Sequence, residues 1–451
     1  MKIKDIIGIN NAKLVFGNAE EVLNNFSKDT RTIKDGDTYI GIKGEIYDGS
    51  VFFEDAFSNG AKTCIVSNIE IFDDIKNKYA DRNLIMVDNV VEFLTLIAKK
   101  KRENLNIPII AVTGSVGKTS TKNIIADVLS TKYRVLKTEG NLNTNIGLSL
   151  TLLSLTDEEI VVLEMGMSEK GEISVLTNIA KPDVAVITNI GTSHIGNLGS
   201  RENILKAKLE ILEGLKGPII INNDTDLLND WYKNNNINNE IITYGIDNIS
   251  HYQATNISYD KKGSHYNLDN ELVDVNVIGK HFIYNSLVAF AIGDLFNIDH
   301  KNIKNKLKNL TLEPNRMELI NNNYTIINDT YNASYDSIYY ALEVLSKFEG
   351  RKIAVLGDIL ELGEFSEEIH RNIGNLIIKN NIDVLITIGE SAKYINEEAT
   401  NNGFNTVNSY HFGSNKEAIN FINSIKSGKD NILVKASHGM NFIEIVNGIK
   451  E

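Results

Sequence analysis

Short apolar runs alternate with longer stretches of mixed polarity along this chain, and the alternation restarts twice. In the first hundred residues DTYIGI (38–43), AKTCIVS (61–67) and NLIMVD (83–88) have the length and composition of strands, and VEFLTLIAKKKREN reads as a closing helix. Its basic, polar tail marks a first boundary and gives a domain over 1–104. From residue 107 the apolar runs IPIIAVT, IVVLEMG (160–166), DVAVITNI (183–190) and GPIIIN (217–222) recur between helical stretches, which predicts a largely parallel, helix-covered sheet. Residues 249–280 alternate and turn often, so antiparallel strands appended to that sheet are expected; GKHFIYNSLVAFAIGDLF then returns to helix. Pro314, one of only four prolines, marks a second boundary. It closes a central domain over 105–313, and YTIIND, RKIAVLGD, DVLITIGE and NILVKAS predict a third α/β domain over 314–451.

Composition narrows the function. The 451 residues exceed one core, and 42% hydrophobic with 23% charged residues is ordinary for globular protein. A net charge of −13 argues against a nucleic-acid backbone or an anionic membrane as partner. The single cysteine, Cys64, allows no internal disulfide and points to a reducing compartment; with no secretory leader and no run long enough to span a bilayer, a cytoplasmic location is expected.

The sharpest local signal is AVTGSVGKTST (111–121), an apolar run that breaks into Gly114-Ser115-Val116-Gly117-Lys118-Thr119-Ser120 and turns helical. Glycines let backbone N–H groups face an anion, the helix start adds positive potential, Lys118 reaches the outer phosphates and Thr119 can ligate Mg²⁺. The usual loop carries four residues between its glycines, but Val112 stands where the first would be. The short form G-x-x-G-K-T belongs to a subgroup of ATP users. Chance assembly of a Gly/Lys turn is the bland alternative, and the strand–loop–helix order argues against it.

Other candidates sit at strand ends, where open α/β sheets bind ligands. Glu164 and His194 can hold Mg²⁺ or order a water, or be a solvated carboxylate and a satisfied loop histidine. On the helix 201–215, Glu202, Lys206, Glu210 and Glu213 form a solvated stripe with a Lys206–Glu210 pair, whereas Lys208 aligns with Ile204 and Ile211 on the apolar side. It is either a desolvated, neutral amine or a snorkelling stem. Tyr331, Asn332, Asp358 and Lys435-Ala436-Ser437 either cap helices or form a second ligand-binding wall.

TGSVGKTST, TEGNLNTNIGLSLTLL, LEMGMSEKGEI, ITNIGTSHIGNLGSRENILKAKLEIL, GKHFIYNSLVAFA, EPNRMELI, INDTYNASYDS and VLGDILELGEFSEEIH occur in the order of the Mur ligases, which the chain resembles over nearly its whole length. With KDTRTIKDGDTYIGIKGEIYDG, the last two look most like the branch that joins D-Ala-D-Ala to UDP-MurNAc-tripeptide. The resemblance implies a UDP-binding N-terminal α/β domain, a central P-loop ATPase with a mostly parallel sheet and a Rossmann-like C-terminal domain, in a monomer. It implies ATP on Gly114–Ser120, Mg²⁺ on Thr119, and a second Mg²⁺ on Glu164, His194 and a carbamylated Lys208. Asn285 would meet the adenine, and Arg316 and Asp329 the phosphates and ribose. Asp29, Thr30, Arg31, Lys43, Asp48 and Gly49 match the stretch that holds the uridine end, and Asn141 and Asn143 the one that positions phosphate and substrate. Phe282, Asn315, Tyr335, Ala436 and His438 depart from the family's usual Asn, Gly, Pro and KGSR-like residues.

A carboxylate does not condense with an amine in water; phosphorylation by ATP gives it a leaving group, and domain closure shields the acyl phosphate. Three rivals stand beside this reading. A sister ligase would add another amine, such as a diamino acid or glutamate. A nucleotide switch lacks the guanine-specifying N-K-x-D. A non-catalytic paralogue would bind the muropeptide nucleotide alone.

Overall fold

Strand Ile109–Thr113 is buried at every position, as its unbroken apolar run demands, because helices cover both faces of a parallel sheet. In the computed structural model, which describes residues 1–67, 69–70 and 73–450, it is a middle strand of a seven-stranded sheet. On one side lie Ile160–Glu164 and then Val135–Lys137; on the other lie Val184–Ile187, Ile219–Asn222, Ile241–Gly245 and Tyr252–Gln253, all parallel. The chain changes direction of travel across the sheet beside Ile109–Thr113, the topological switch point at which such sheets bind ligands.

Two α/β sheets flank this one. The N-terminal sheet has five strands, with Lys13–Phe16 the antiparallel edge. The C-terminal sheet has six, in the order Glu318–Asn321, Thr325–Asn328, Asp430–Lys435, Arg351–Gly357, Val384–Ile388, Ser409–Phe412, and only its first pair is antiparallel. One apolar cluster runs from the N-terminal helix residue Ile97 through the central sheet to Leu433, and separate clusters fill the far faces of the outer sheets.

Two expectations need correction. Strands Thr255–Asp260, Gly263–Leu268 and Glu271–Val275 do pair antiparallel, but as a sheet of their own, not as an extension of the parallel one. The helix beginning at Arg201 is α-helical only to Leu209 and tightens to a 3₁₀ turn over Glu210–Glu213. Glu210 therefore leaves the solvated stripe: it is buried, and its carboxylate accepts from the Gly171 and Ser174 N–H groups at the start of helix Glu172–Ala180. The basic tail of helix Val90–Glu103 is anchored on the central sheet's surroundings. Lys101 Nζ donates to the Leu153 and Leu155 carbonyls, and the buried Arg102 bonds Ala180 O, Lys181 O and Asp183.

The departures at 315 and 335 have local physical reasons. Asn315 has φ +63°, a left-handed conformation that asparagine tolerates best among residues with a side chain. Tyr335 opens helix Tyr335–Ser346, and Ser334 with Ser337 forms a capping box that fixes the start without proline.

Candidate functional site

The glycine turn leaves strand Ile109–Thr113 and enters helix Lys118–Leu129. Gly114 (φ +149°) and Gly117 (φ +84°) take conformations closed to L side chains, and a methyl group on Gly114 would fall 1.9 Å from Thr188 Oγ1. The segment after strand Val184–Ile187 braces the turn. Asn189 Oδ1 accepts from Val116 N–H at 2.9 Å, Thr188 Oγ1 donates to Val116 O at 2.6 Å, and Ser115 Oγ accepts from Gly191 N–H at 2.9 Å. The loop is held open from behind by its neighbours.

It opens into a cavity of about 600 Å³ lined by both the central and the C-terminal domains. Ser115 to Ser120, Asn143, Glu164, His194, Asn285, Arg316, Asp329, Tyr331, Asn332 and Lys435 all line it. Lys118 curls back so that Nζ donates to the Gly114 and Ser115 carbonyls. Desolvation, then Arg316, hold its pKa below the usual lysine range, against the pull of Glu164. Arg316 reaches across from the C-terminal domain, donates to Thr119 Oγ1 at 3.1 Å and stacks 3.7 Å over the Tyr331 ring. Lys435 Nζ meets Asp329 Oδ2 at 2.5 Å on the cavity wall.

Lys208 settles the question left by periodicity. It is 2% exposed, and desolvation, then the charge of Lys118, push its pKa well down. No hydrogen bond or ion pair engages its Nζ among the described residues. Glu164 accepts from Asn143 Nδ2 at 2.9 Å through Oε1, while Oε2 is buried without a partner. His194, in a left-handed conformation (φ +62°), has Nδ1 2.7 Å from Glu361 Oε2, off the line of a hydrogen bond. Burial, then Lys118, lower its pKa. Among the described residues no group of three or more His, Cys, Asp or Glu side chains gathers as a metal cage.

Several candidates lie elsewhere. Asn141 is exposed and outside the cavity lining. Asp358 and Ser437 also lie off it: the Asp358 carboxylate accepts from the Glu390, Ser391 and Ala392 N–H groups, and Ser437 Oγ accepts from Leu360 N–H. Their polar atoms are spent on the C-terminal domain's own loops, the capping alternative. Asp29, with Arg31 folded onto its carboxylate, caps the turn Thr30–Thr32; Asp48 caps Gly49–Phe52, and its backbone pairs with that of Lys43 in an isolated antiparallel β-bridge. These stand in the N-terminal domain, away from the cavity. The sequence reading missed Asn189, His281, Tyr340 and Asp336; of these Asn189 in ITNIGTSH, His281 in GKHF and Asp336 in INDTYNASYDS lay in segments already singled out, and Tyr340 did not.

A braced phosphate turn facing an arginine-bearing α/β domain across a deep cavity defines a nucleotide-dependent ligase of the Mur type. The Mur ligase middle domain matches residues 112–293, and the Mur ligase, glutamate ligase domain matches 315–438. The chain is 38% identical to the UDP-N-acetylmuramoyl-tripeptide–D-alanyl-D-alanine ligase of Bacillus subtilis, over 96% of this chain and 94% of that one. Its fold superposes on MurF from Acinetobacter baumannii (TM-score 0.84, 27% identity, 100% and 98% covered) and on MurF ligase from Thermotoga maritima in complex with ADP (0.81, 27%, 95% and 97%). The chain belongs to the Mur ligase family, in its MurF branch.

Proposed function

We propose that this chain is an ATP-dependent ligase that joins D-Ala-D-Ala to UDP-MurNAc-tripeptide, a step of cytoplasmic peptidoglycan precursor synthesis. The observation that carries the reading is the braced glycine turn opening on a cavity where Lys118 from one domain and Arg316 from the other have no ion-pair partner among the described residues. The peptide's terminal carboxylate attacks the γ-phosphorus of ATP, and ADP leaves. The dipeptide amine attacks the resulting acyl phosphate, loses a proton, and phosphate departs as the amide forms.

Each residue's part follows from its surroundings. The turn 114–120 wraps the phosphates with N–H groups, and Lys118, freed from the Gly114 and Ser115 carbonyls, meets the outer ones. Arg316 comes from the opposite domain, so charge neutralisation requires that domain to be seated. Asn285, whose Nδ2 is buried and unpartnered, faces the adenine, and Asp329, steadied by Lys435, the ribose. Asn143 supports Glu164, and Tyr331 and Asn332 form the wall toward the dipeptide. The uridine end lies with Asp29, Thr30, Arg31, Lys43, Asp48 and Gly49 in the N-terminal domain.

The donor set suits a magnesium ion, since Glu164 Oε2 lacks any other partner. Thr119, Glu164, His194 and Lys208 would hold two Mg²⁺, which supply charge neutralisation at the transferring phosphoryl group. A neutral Lys208 amine can add CO₂ and release a proton to become a carbamate, an anionic ligand in place of a buried cation.

The test is ADP release with UDP-MurNAc-tripeptide, with and without D-Ala-D-Ala. Removing the phosphate-binding cation in Lys118→Ala should lower it by at least ~10²-fold. Turnover indifferent to that substitution, or to both substrates, would end the proposal, and a preference for another amine would favour a sister ligase.

A further inference from the structure

The loop that carries His194 is gripped by the C-terminal domain at two points that the reaction above does not use. Asp336 Oδ2 accepts from Thr192 N–H at 2.9 Å and from Thr192 Oγ1 at 3.3 Å. Gly191 is pressed so closely on the same carboxylate that a methyl group there would fall 2.1 Å from Oδ2. Two residues beyond His194, Gly196 N–H donates to Glu361 O at 3.3 Å, and a methyl group on Gly196 would fall 2.6 Å from that oxygen. The inner side of the same loop bonds the glycine turn through Gly191 N–H and Ser193 Oγ to Ser115. One six-residue segment thus touches the phosphate turn on one side and the other domain on the other.

We infer that Asp336 is a positioning residue: docking its carboxylate on Thr192 sets the loop 191–196, and so the phosphate turn and His194, only when the C-terminal domain is closed. An anionic acceptor taking two donors gives a strong, directional contact across a domain boundary. The start of helix Tyr335–Ser346 is fixed without it, by the Ser334–Ser337 capping box, so its loss should release the loop and leave the helix intact. Phosphoryl transfer is thereby coupled to closure through a hydrogen-bonded lever, and idle hydrolysis in the open form is suppressed because the loop is then unsupported.

The inference rests on the proposed ligase reaction, so its test reads shape as well as turnover. Spin labels at Lys233→Cys and Lys416→Cys, both exposed positions in different domains, report the domain separation; the native Cys64 is buried. Asp336→Ala should lower the kcat for ADP release by ~tenfold with KM for ATP moved less than ~twofold, the weight of about one charge-assisted hydrogen bond. It should also lengthen the label distance with bound non-hydrolysable ATP analogue. Gly191→Ala should do the same by pushing the carboxylate away, and adding it to Asp336→Ala should cost nothing more. Thr192→Val, which removes only the hydroxyl, gives a smaller loss and serves if Asp336→Ala is poorly folded. Unchanged distance and kcat in Asp336→Ala, or losses that multiply in the double variant, would overturn the lever. Absent turnover in the unsubstituted protein would instead sink the ligase reaction, and the distances would still decide the contact.

Discussion

Asp358 stands at the end of strand Arg351–Gly357, where a substrate-binding carboxylate is expected, yet every contact it makes is internal. Its Oδ1 accepts from Ser391 N–H (3.0 Å) and Ala392 N–H (2.6 Å), its Oδ2 from Glu390 N–H (3.0 Å), and Ala392 is the N-cap of helix Lys393–Asn401. Hydrogen bonds to a charged acceptor contribute about 1.5–3 kcal/mol each, and a buried N–H left without a partner costs about 1–3 kcal/mol. These terms overlap and some freed groups reach water, so Asp358→Ala should lose on the order of 3–5 kcal/mol. Asp358→Asn keeps the two bonds at Oδ1 and turns its NH₂ toward Glu390 N–H, so its loss should be about 1–3 kcal/mol. Urea unfolding followed by far-ultraviolet circular dichroism gives both numbers; with an m-value of about 2 kcal/mol per molar, the alanine variant's midpoint falls by about 2 M. In the folded fraction, KM for D-Ala-D-Ala should be unchanged. Full stability combined with a KM raised tenfold would refute the reasoning and restore Asp358 to the substrate wall.

Two further outcomes follow from buried groups. Burial pushes the His281 imidazole down to about 4, so the folded protein binds fewer protons than the unfolded chain between that value and about 6.5; stability is complete above this window and is lost as pH falls through it. Urea titrations at pH 7 and pH 5 should show a loss about 1–2 kcal/mol larger than in His281→Phe, and equal losses would contradict the assignment. Glu210→Ala should cost about 1–2 kcal/mol by uncapping helix Glu172–Ala180, with Glu210→Gln recovering most of it; hydrogen exchange at Gly171 and Ser174 reads the cap directly.

What the sequence disclosed, and what it hid, divides along a physical line. Ile109–Thr113, Ile160–Glu164 and Val184–Ile187 are central strands buried on both faces, so their composition announces them and their ends locate Lys118, Glu164 and His194. Val135–Lys137 and Ser409–Phe412 are edge strands of mixed polarity and half-burial, and no apolar run marks them. Glu210 looked solvated because an unbroken helical period was assumed, whereas the 3₁₀ turn rotates its side chain inward. Asp358 and Ser437 carried the right residue types at the right strand ends; whether a polar group serves ligand or loop depends on N–H groups some thirty or eighty residues away. The Asp336–Thr192 contact spans 144 residues between domains, beyond the reach of any local pattern.

The electrostatics of the cavity tie these strands together. The chain carries a net charge of −13, yet it sinks Lys208 into the interior with no carboxylate on its Nζ, folds Lys118 onto carbonyls, and brings Arg316 from another domain to a neutral hydroxyl. Lowered pKa values at Lys118 and Lys208 express the same imbalance: desolvation first, and then a neighbouring cation, disfavours each charged form. A polyanion bound at the turn would supply what the fold withholds, so nucleotide binding should raise stability beyond its site by fixing the central domain against the C-terminal one. The linkage is RT ln(1 + [L]/Kd), about 2.7 kcal/mol at one hundred times Kd. Since Arg316 contributes only when the domains are docked, that stabilisation should shrink in Arg316→Ala even where ATP still fills the turn, which separates closure from simple occupancy.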